Sequence, residues 1–117
     1  MAINFNTIIK KLPAGKREIT VELAPPEVEE CYQKALRNLA TELEIEGFRK
    51  GKVPPAMAEK YIKHGALLEE AAHVAIRETY PLVVEHHGIE PVGDPEVEVT
   101  KIAKGDAMSY RVRTAVV

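Results

Sequence analysis

The chain reads as an α+β domain built on an antiparallel sheet, and three observations predict that class. Apolar and polar residues alternate near both ends of the 117-residue chain, and an apolar residue recurs every three or four positions through its middle. The connectors within each end are also too short for parallel crossovers. The order β-β-α-α-α-β-β follows: two hairpins form the sheet, the helices are inserted between them, and a long loop separates the first helix from the second.

Ile3, Phe5, Thr7 and Ile9 fall on one side of an extended chain and Asn4 and Asn6 on the other, which predicts a first strand. Leu12-Pro13-Ala14-Gly15 is a turn. From Arg17 to Leu23 the alternation resumes, with Ile19, Val21 and Leu23 inward and Glu18, Thr20 and Glu22 outward, completing a hairpin. Pro25-Pro26 ends that strand, and Glu27, Glu29 and Glu30 put negative charge where a helix N-terminus favours it. Val28, Cys31, Tyr32, Ala35, Leu36, Leu39, Ala40 and Leu43 then carry a helical period that stops by Gly47.

The stretch from Gly47 to Pro55 has no period and is expected to be a loop. A second helix is expected from Pro55 to His64, with Met57, Ala58, Tyr61 and Ile62 on its apolar face and Gly65 ending it. A third runs through Leu67, Leu68, Ala71, Ala72 and Val74 to Ile76, then Leu82 to Val84, and stops at Gly88. Pro81 lacks an amide donor and opposes the carbonyl of Arg77, so a kink or break is expected near Tyr80. Val97 and Val99, then Met108, Tyr110, Val112, Thr114 and Val116, alternate around Lys104-Gly105-Asp106 and give the second hairpin.

With 29% charged and 45% apolar residues the chain is neither a disordered tail nor a membrane segment, and 1–117 is expected to be a single domain. No apolar run approaches the roughly 20 residues that cross a bilayer. Met1 to Phe5 lack the features of a secretory signal, so a cytoplasmic location without membrane contact is expected. The apolar ending, Thr114-Ala115-Val116-Val117, reads either as a boundary within a longer protein or as a strand that ends the chain.

The net charge of -2 argues against nucleic acid held across most of the surface, yet that charge is unevenly spread. Residues 10–17 carry Lys10, Lys11, Lys16 and Arg17 with no acid, and residues 47–64 carry five cations against Glu59. The helical stretches around them are strongly acidic. Such an asymmetry orients a domain toward an anionic partner.

Few residues suggest chemistry. Cys31 is single, so it has no disulfide partner, and it lies in the apolar stripe of the first helix. Glu70 and His73 have the spacing of one half of a di-iron site but no second copy, and read as a solvated helix face. His86-His87 reads as the end of a helix, because adjacent side chains point about 100° apart. No Ser, His and Asp combination stands out, neither glycine-rich nucleotide motif is present, and no catalytic site or cofactor is expected.

The loop is more informative. Phe48, one of two phenylalanines, sits between Gly47 and Arg49-Lys50-Gly51-Lys52, where no period draws it into a core. It is either exposed as an interface anchor or folded back over the end of the first helix. Gly47 and Gly51 offer positive φ at both shoulders, and Pro54-Pro55 stiffen the exit, so the tip is held in shape and binds with less ordering cost.

Gly47-Phe48-Arg49-Lys50-Gly51-Lys52-Val53-Pro54 resembles the signature of the N-terminal, ribosome-binding domain of the bacterial trigger factor family, and the element order is similar over essentially the whole chain. The resemblance implies a nascent-chain chaperone that docks beside the polypeptide exit tunnel of the large ribosomal subunit. Phe48, Arg49 and Lys50 would meet a ribosomal protein with ribosomal RNA nearby, and Gly47, Gly51, Lys52 and Pro54 would shape the site. It further implies contact with nascent polypeptides, a capacity to pair two copies, and two domains absent from this chain, a prolyl isomerase and a helical chaperone body. The chain itself is then not an enzyme. The alternative is a small RNA-binding module using the basic loop, although such modules stack bases on several aromatics and only 5% of these residues are aromatic.

Overall fold

A computed structural model describes residues 5–103 and 105–117. The elements are β1 (Phe5–Leu12), β2 (Lys16–Leu23), α1 (Pro25–Ala40), α2 (Pro55–Ala58), α3 (His64–His87), β3 (Pro91–Lys101) and β4 (Met108–Val116). All four strands pair antiparallel in the order β1-β2-β4-β3. The α+β class and both hairpins are therefore as expected; Ile3 and Lys104 lie outside the described residues. The hairpins join through β2 and β4, which brings Glu18 against Arg113. The Arg113 guanidinium donates to the Glu18 carboxylate at 2.9 Å and holds that carboxyl below its ordinary pKa.

Ile19, Val21 and Leu23 of β2 and Met108, Tyr110 and Val112 of β4 are buried on the helix-facing side. They pack with Val28 and Cys31 from the first half of α1 and with Val74, Ala75 and Val83 from the middle and later turns of α3. Thr79 resolves its burial by donating to the Ala75 carbonyl at 2.7 Å while accepting from the Tyr110 hydroxyl. The outer strands are covered less. Val97, Val99 and Ile9 alternate as expected but stay about two-fifths exposed, because the helices lie over the two central strands.

A second cluster contains no strand residue: Tyr32, Ala35, Leu36 and Ala40 of α1 pack with Val53, Ala58, Leu67 and Ala71. Ile102, just past β3, touches both clusters. Since Lys101 pairs with Ser109 and Leu23 with Met108, the second cluster lies beyond that end of the sheet. The fold is accordingly elongated, 56 × 26 × 25 Å. The loop after α1 stands at one end and the β1–β2 turn at the other.

Three boundaries differ from expectation. α1 ends at Ala40, and Leu43 continues the apolar pattern from the following turns, not from the helix. α2 is a single turn of four residues, and Met57 and Tyr61 are exposed while Ala58 and Ile62 pack inward. Gly65 does not end α2; it sits in the first turn of α3, whose carbonyl at Lys63 accepts from Leu67. α3 also runs unbroken through Pro81, its packing on the sheet outweighing one lost helical hydrogen bond.

Candidate docking loop

The loop after α1 is a pair of closed turns seated on a small apolar base. α1 finishes with tight backbone bonds, from Glu42 to the Leu39 carbonyl at 3.1 Å and from Leu43 to that of Ala40 at 3.2 Å. Leu43 and Ile45 then lean on the second cluster. The Phe48 amide donates to the Ile45 carbonyl at 3.0 Å and the Lys52 amide to that of Arg49 at 2.9 Å. In each turn the third residue is a glycine with positive φ, Gly47 at 92° and Gly51 at 82°. This is the backbone that a type II turn demands and that a side chain resists. Both glycines thus play the part expected of them.

The turns close with Val53, only 5% exposed, plugged between α1 and the start of α2. Pro54 caps α2, its carbonyl accepting from Met57 at 3.0 Å and Ala58 at 2.9 Å. Across the base, the Tyr32 hydroxyl reaches the Glu59 carboxylate at 3.4 Å. Leu43, Ile45 and Val53 were not singled out as loop supports from the sequence. Their signal was present in apolar side chains flanking a charged, aperiodic stretch.

This base leaves the tip outward. Phe48 is 39% exposed, so it does not fold into the core, and Arg49, Lys50, Gly51, Lys52 and Pro54 are exposed around it. Lys50 lies 3.9 Å from Glu42 with both side chains well solvated, a pairing worth little. Arg49 and Lys52 make no ion pair among the described residues. Just beyond the loop, Met57 and Tyr61 add exposed apolar surface. The arrangement offers an aromatic anchor, three cations and a preorganised backbone. These are the parts of a recognition surface.

The other residues considered for chemistry are in structural use. Cys31 is buried, and desolvation pushes its thiol up to about 11. Glu70 lies 3.6 Å from Arg77 and 3.9 Å from His73 on the surface of α3. His87 shares a 2.7 Å hydrogen bond with Thr7, tying the end of α3 to β1. Among the described residues no three His, Cys, Asp or Glu side chains gather as a metal site requires. A groove of about 610 Å³ between α3 and β3, lined by Ile76, Tyr80, Pro81 and Val97, contains none of the loop residues. Among those same residues, no helix is long and apolar enough to cross a membrane.

Known proteins resemble this chain over most of its length. The family described as "Bacterial trigger factor protein (TF)" matches residues 5–117. The trigger factor of Agathobacter rectalis is 36% identical over 108 residues, covering 92% of this chain and 24% of that protein. That of Moorella thermoacetica is 34% identical, also over 92% of this chain and 24% of its own length. This chain therefore spans about a quarter of the length of these relatives. A solved structure from "Promiscuous Substrate Recognition in Folding and Assembly Activities of the Trigger Factor Chaperone" superposes with a TM-score of 0.70. It covers 93% of this chain and 26% of that chain at 19% identity, a likeness of fold. With a family match that extends over nearly its whole length, this chain belongs to the bacterial trigger factor family.

Proposed function

We propose that this chain is the ribosome-docking domain of a nascent-chain chaperone, with Phe48, Arg49 and Lys50 as its contact residues. The observation that carries the reading is the loop of a trigger factor family member in which two closed turns, each with a positive-φ glycine, Gly47 and Gly51, hold Phe48 partly exposed among exposed cations. The ring enters a small apolar depression on a large-subunit ribosomal protein near the exit tunnel. Arg49 and Lys50 meet carboxylates of that protein or phosphates of ribosomal RNA.

The energetics are sufficient. Covering the 39% of Phe48 that remains exposed removes roughly 80 Å² of apolar surface, or about 2 kcal/mol. Charge-assisted hydrogen bonds add about 1.5–3 kcal/mol each. Set against the cost of association, these terms support micromolar affinity, about 8 kcal/mol, that weakens with salt. The single domain expected from the sequence is one module of the whole protein, which contacts nascent polypeptides and carries prolyl isomerase activity in a separate domain.

Ribosome co-sedimentation tests the docking step. The wild-type chain should pellet with ribosomes at low salt, and the Phe48→Ala, Arg49→Ala, Lys50→Ala triple variant should remain in the supernatant with an unchanged circular dichroism spectrum. Equal pelleting of the folded triple variant would remove the loop from the reading.

A further inference from the structure

We infer that the β1–β2 hairpin tip, at the end of the molecule opposite the docking loop, is a second contact site and that it takes the phosphate backbone of RNA. Lys10, Lys11, Lys16 and Arg17 lie within eight residues that hold no acid. Strand pairing concentrates them further, with Lys11 opposite Arg17 and Leu12 opposite Lys16. Lys10 faces Glu18, but Glu18 is already hydrogen-bonded to Arg113. None of the four cations forms an ion pair among the described residues.

The tip is also fixed in shape. Ala14 and Gly15 both adopt positive φ, 63° and 71°, which closes a tight turn. The Gly15 carbonyl accepts from the Val116 amide at 3.0 Å, so the turn is stitched to the neighbouring strand β4. Alternation along the ribbon puts Lys10 and Lys16 on one face and Lys11 and Arg17 on the other. Lys16 borders a groove that it shares with Asp94 and Glu96, so the tip carries cations on both faces at its end, where an anionic backbone can reach them. The closed turn spares the backbone its ordering cost on binding, which leaves only that of the cationic side chains.

The chemistry of the tip selects the partner. A protein hot spot is centred on a buried aromatic or large apolar anchor. Residues 10–17 contain no aromatic, and their one large apolar side chain, Leu12, is half-buried. Cations without an anchor make sequence-independent contacts to phosphate oxygens. The absence of aromatics equally removes base stacking, so a structured RNA read by its backbone fits better than a single strand. Acidic helical surface separates this site from the loop, and the long dimension of 56 Å makes the two contacts independent. The inference does not rest on docking by the loop, since it concerns RNA free of ribosomes.

The test is fluorescence anisotropy with a labelled RNA hairpin, titrated with this chain between 50 and 200 mM KCl. A variant with Lys10→Gln, Lys11→Gln, Lys16→Gln and Arg17→Gln should bind at least about tenfold more weakly at 50 mM. Its slope of log affinity against log salt should be shallower by about 3.5, as four lost phosphate contacts on a duplex require. A control with Arg37→Gln, Arg77→Gln, Lys101→Gln and Arg111→Gln removes the same charge away from both basic stretches and should lose less than about threefold. Equal losses in the two variants would reduce the effect to net charge and overturn the site. Binding of polyglutamate to the hairpin as tight as that of RNA would overturn the choice of partner. Matched urea midpoints for the wild type and both variants keep the comparison free of unfolding.

Discussion

The cluster against the sheet is built around Ile19, Val21, Leu23, Tyr110 and Val112, all sealed from water, whereas the cluster beneath the loop draws half its buried members from alanine. The first is assembled from strands distant in sequence, with one side chain interlocked on the next and the Thr79–Tyr110 hydrogen bond inside it. The second lets three helices meet over Ala35 and Ala40 of α1, Ala58 of α2 and Ala71 of α3, and fastens the loop to them through little more than Val53, Leu43 and Ile45. One end of the molecule therefore holds the fold and the other holds a tip. The two should respond differently to the same kind of damage.

The harshest break is at the sheet. Tyr110→Ala empties a fully buried aromatic site and takes away the hydroxyl that donates to Thr79, which should cost about 3–5 kcal/mol. That is a large share of the 5–15 kcal/mol typical of a domain. Urea unfolding followed by circular dichroism should show the loss as a lowered midpoint or as a chain already unfolded in water. A fall under 1 kcal/mol would mean that the sheet cluster is not the stabilising one.

High pH attacks the same end without mutation. Burial pushes the Tyr110 hydroxyl up to about 12 and the Cys31 thiol up to about 11. Each group binds its proton more tightly folded than unfolded. Its contribution is therefore complete below the unfolded value, near 10 for Tyr and 9 for Cys, and fades as pH rises through the folded one. The tyrosine's share is at most on the order of 3 kcal/mol. Thermal melts from pH 8 to 12 should fall across that window, and Tyr110→Phe should flatten the upper part of the fall. Below pH 8.5, Cys31 should resist a disulfide reagent until denaturant is added.

Val53→Ala probes the other end with the same chemistry. Removing two methyl groups from this plug should cost about 1.5 kcal/mol, well below the Tyr110 figure. Ribosome pelleting should nevertheless weaken several-fold, because Val53 seats the turns that present Phe48. Unchanged pelleting would show that the tip keeps its shape without its base.

The contrast between the ends also explains what the sequence revealed. Period-two runs at Ile19-Val21-Leu23 and Tyr110-Val112 marked the central strands because those side chains are sealed. Val97 and Val99 alternate just as cleanly, yet periodicity reports which way a residue points and not whether a helix covers it. Leu43 extended the helical count past Ala40 because a turn and a helix can feed one cluster. The loop's glycines, aromatic and cations were legible as a motif, while Val53 gave no periodic signal from within it. Gly65 was misplaced for a related reason: only φ separates a glycine that ends a helix from one inside its first turn, and composition does not record φ.

That last difference yields a pair of glycine substitutions with opposite signs. Gly47 has φ 92° and Gly51 φ 82°, and neither would bring an added Cβ closer than 3.9 Å to another atom, so alanine there is strained by backbone alone. Each should destabilise by about 1–2 kcal/mol and loosen ribosome binding. Gly47→Asn should be milder than Gly47→Ala, since Asn tolerates positive φ better. Gly65 lies in α3 without positive φ, and a Cβ there meets nothing within 4 Å. Gly65→Ala should therefore raise stability by up to about 1 kcal/mol through helix propensity and leave pelleting unchanged. Differential scanning calorimetry of the three alanine variants checks the ordering. A destabilised Gly65→Ala would show that α3 needs the freedom of glycine where it leaves the second helix, and would place part of the loop's geometry in that junction.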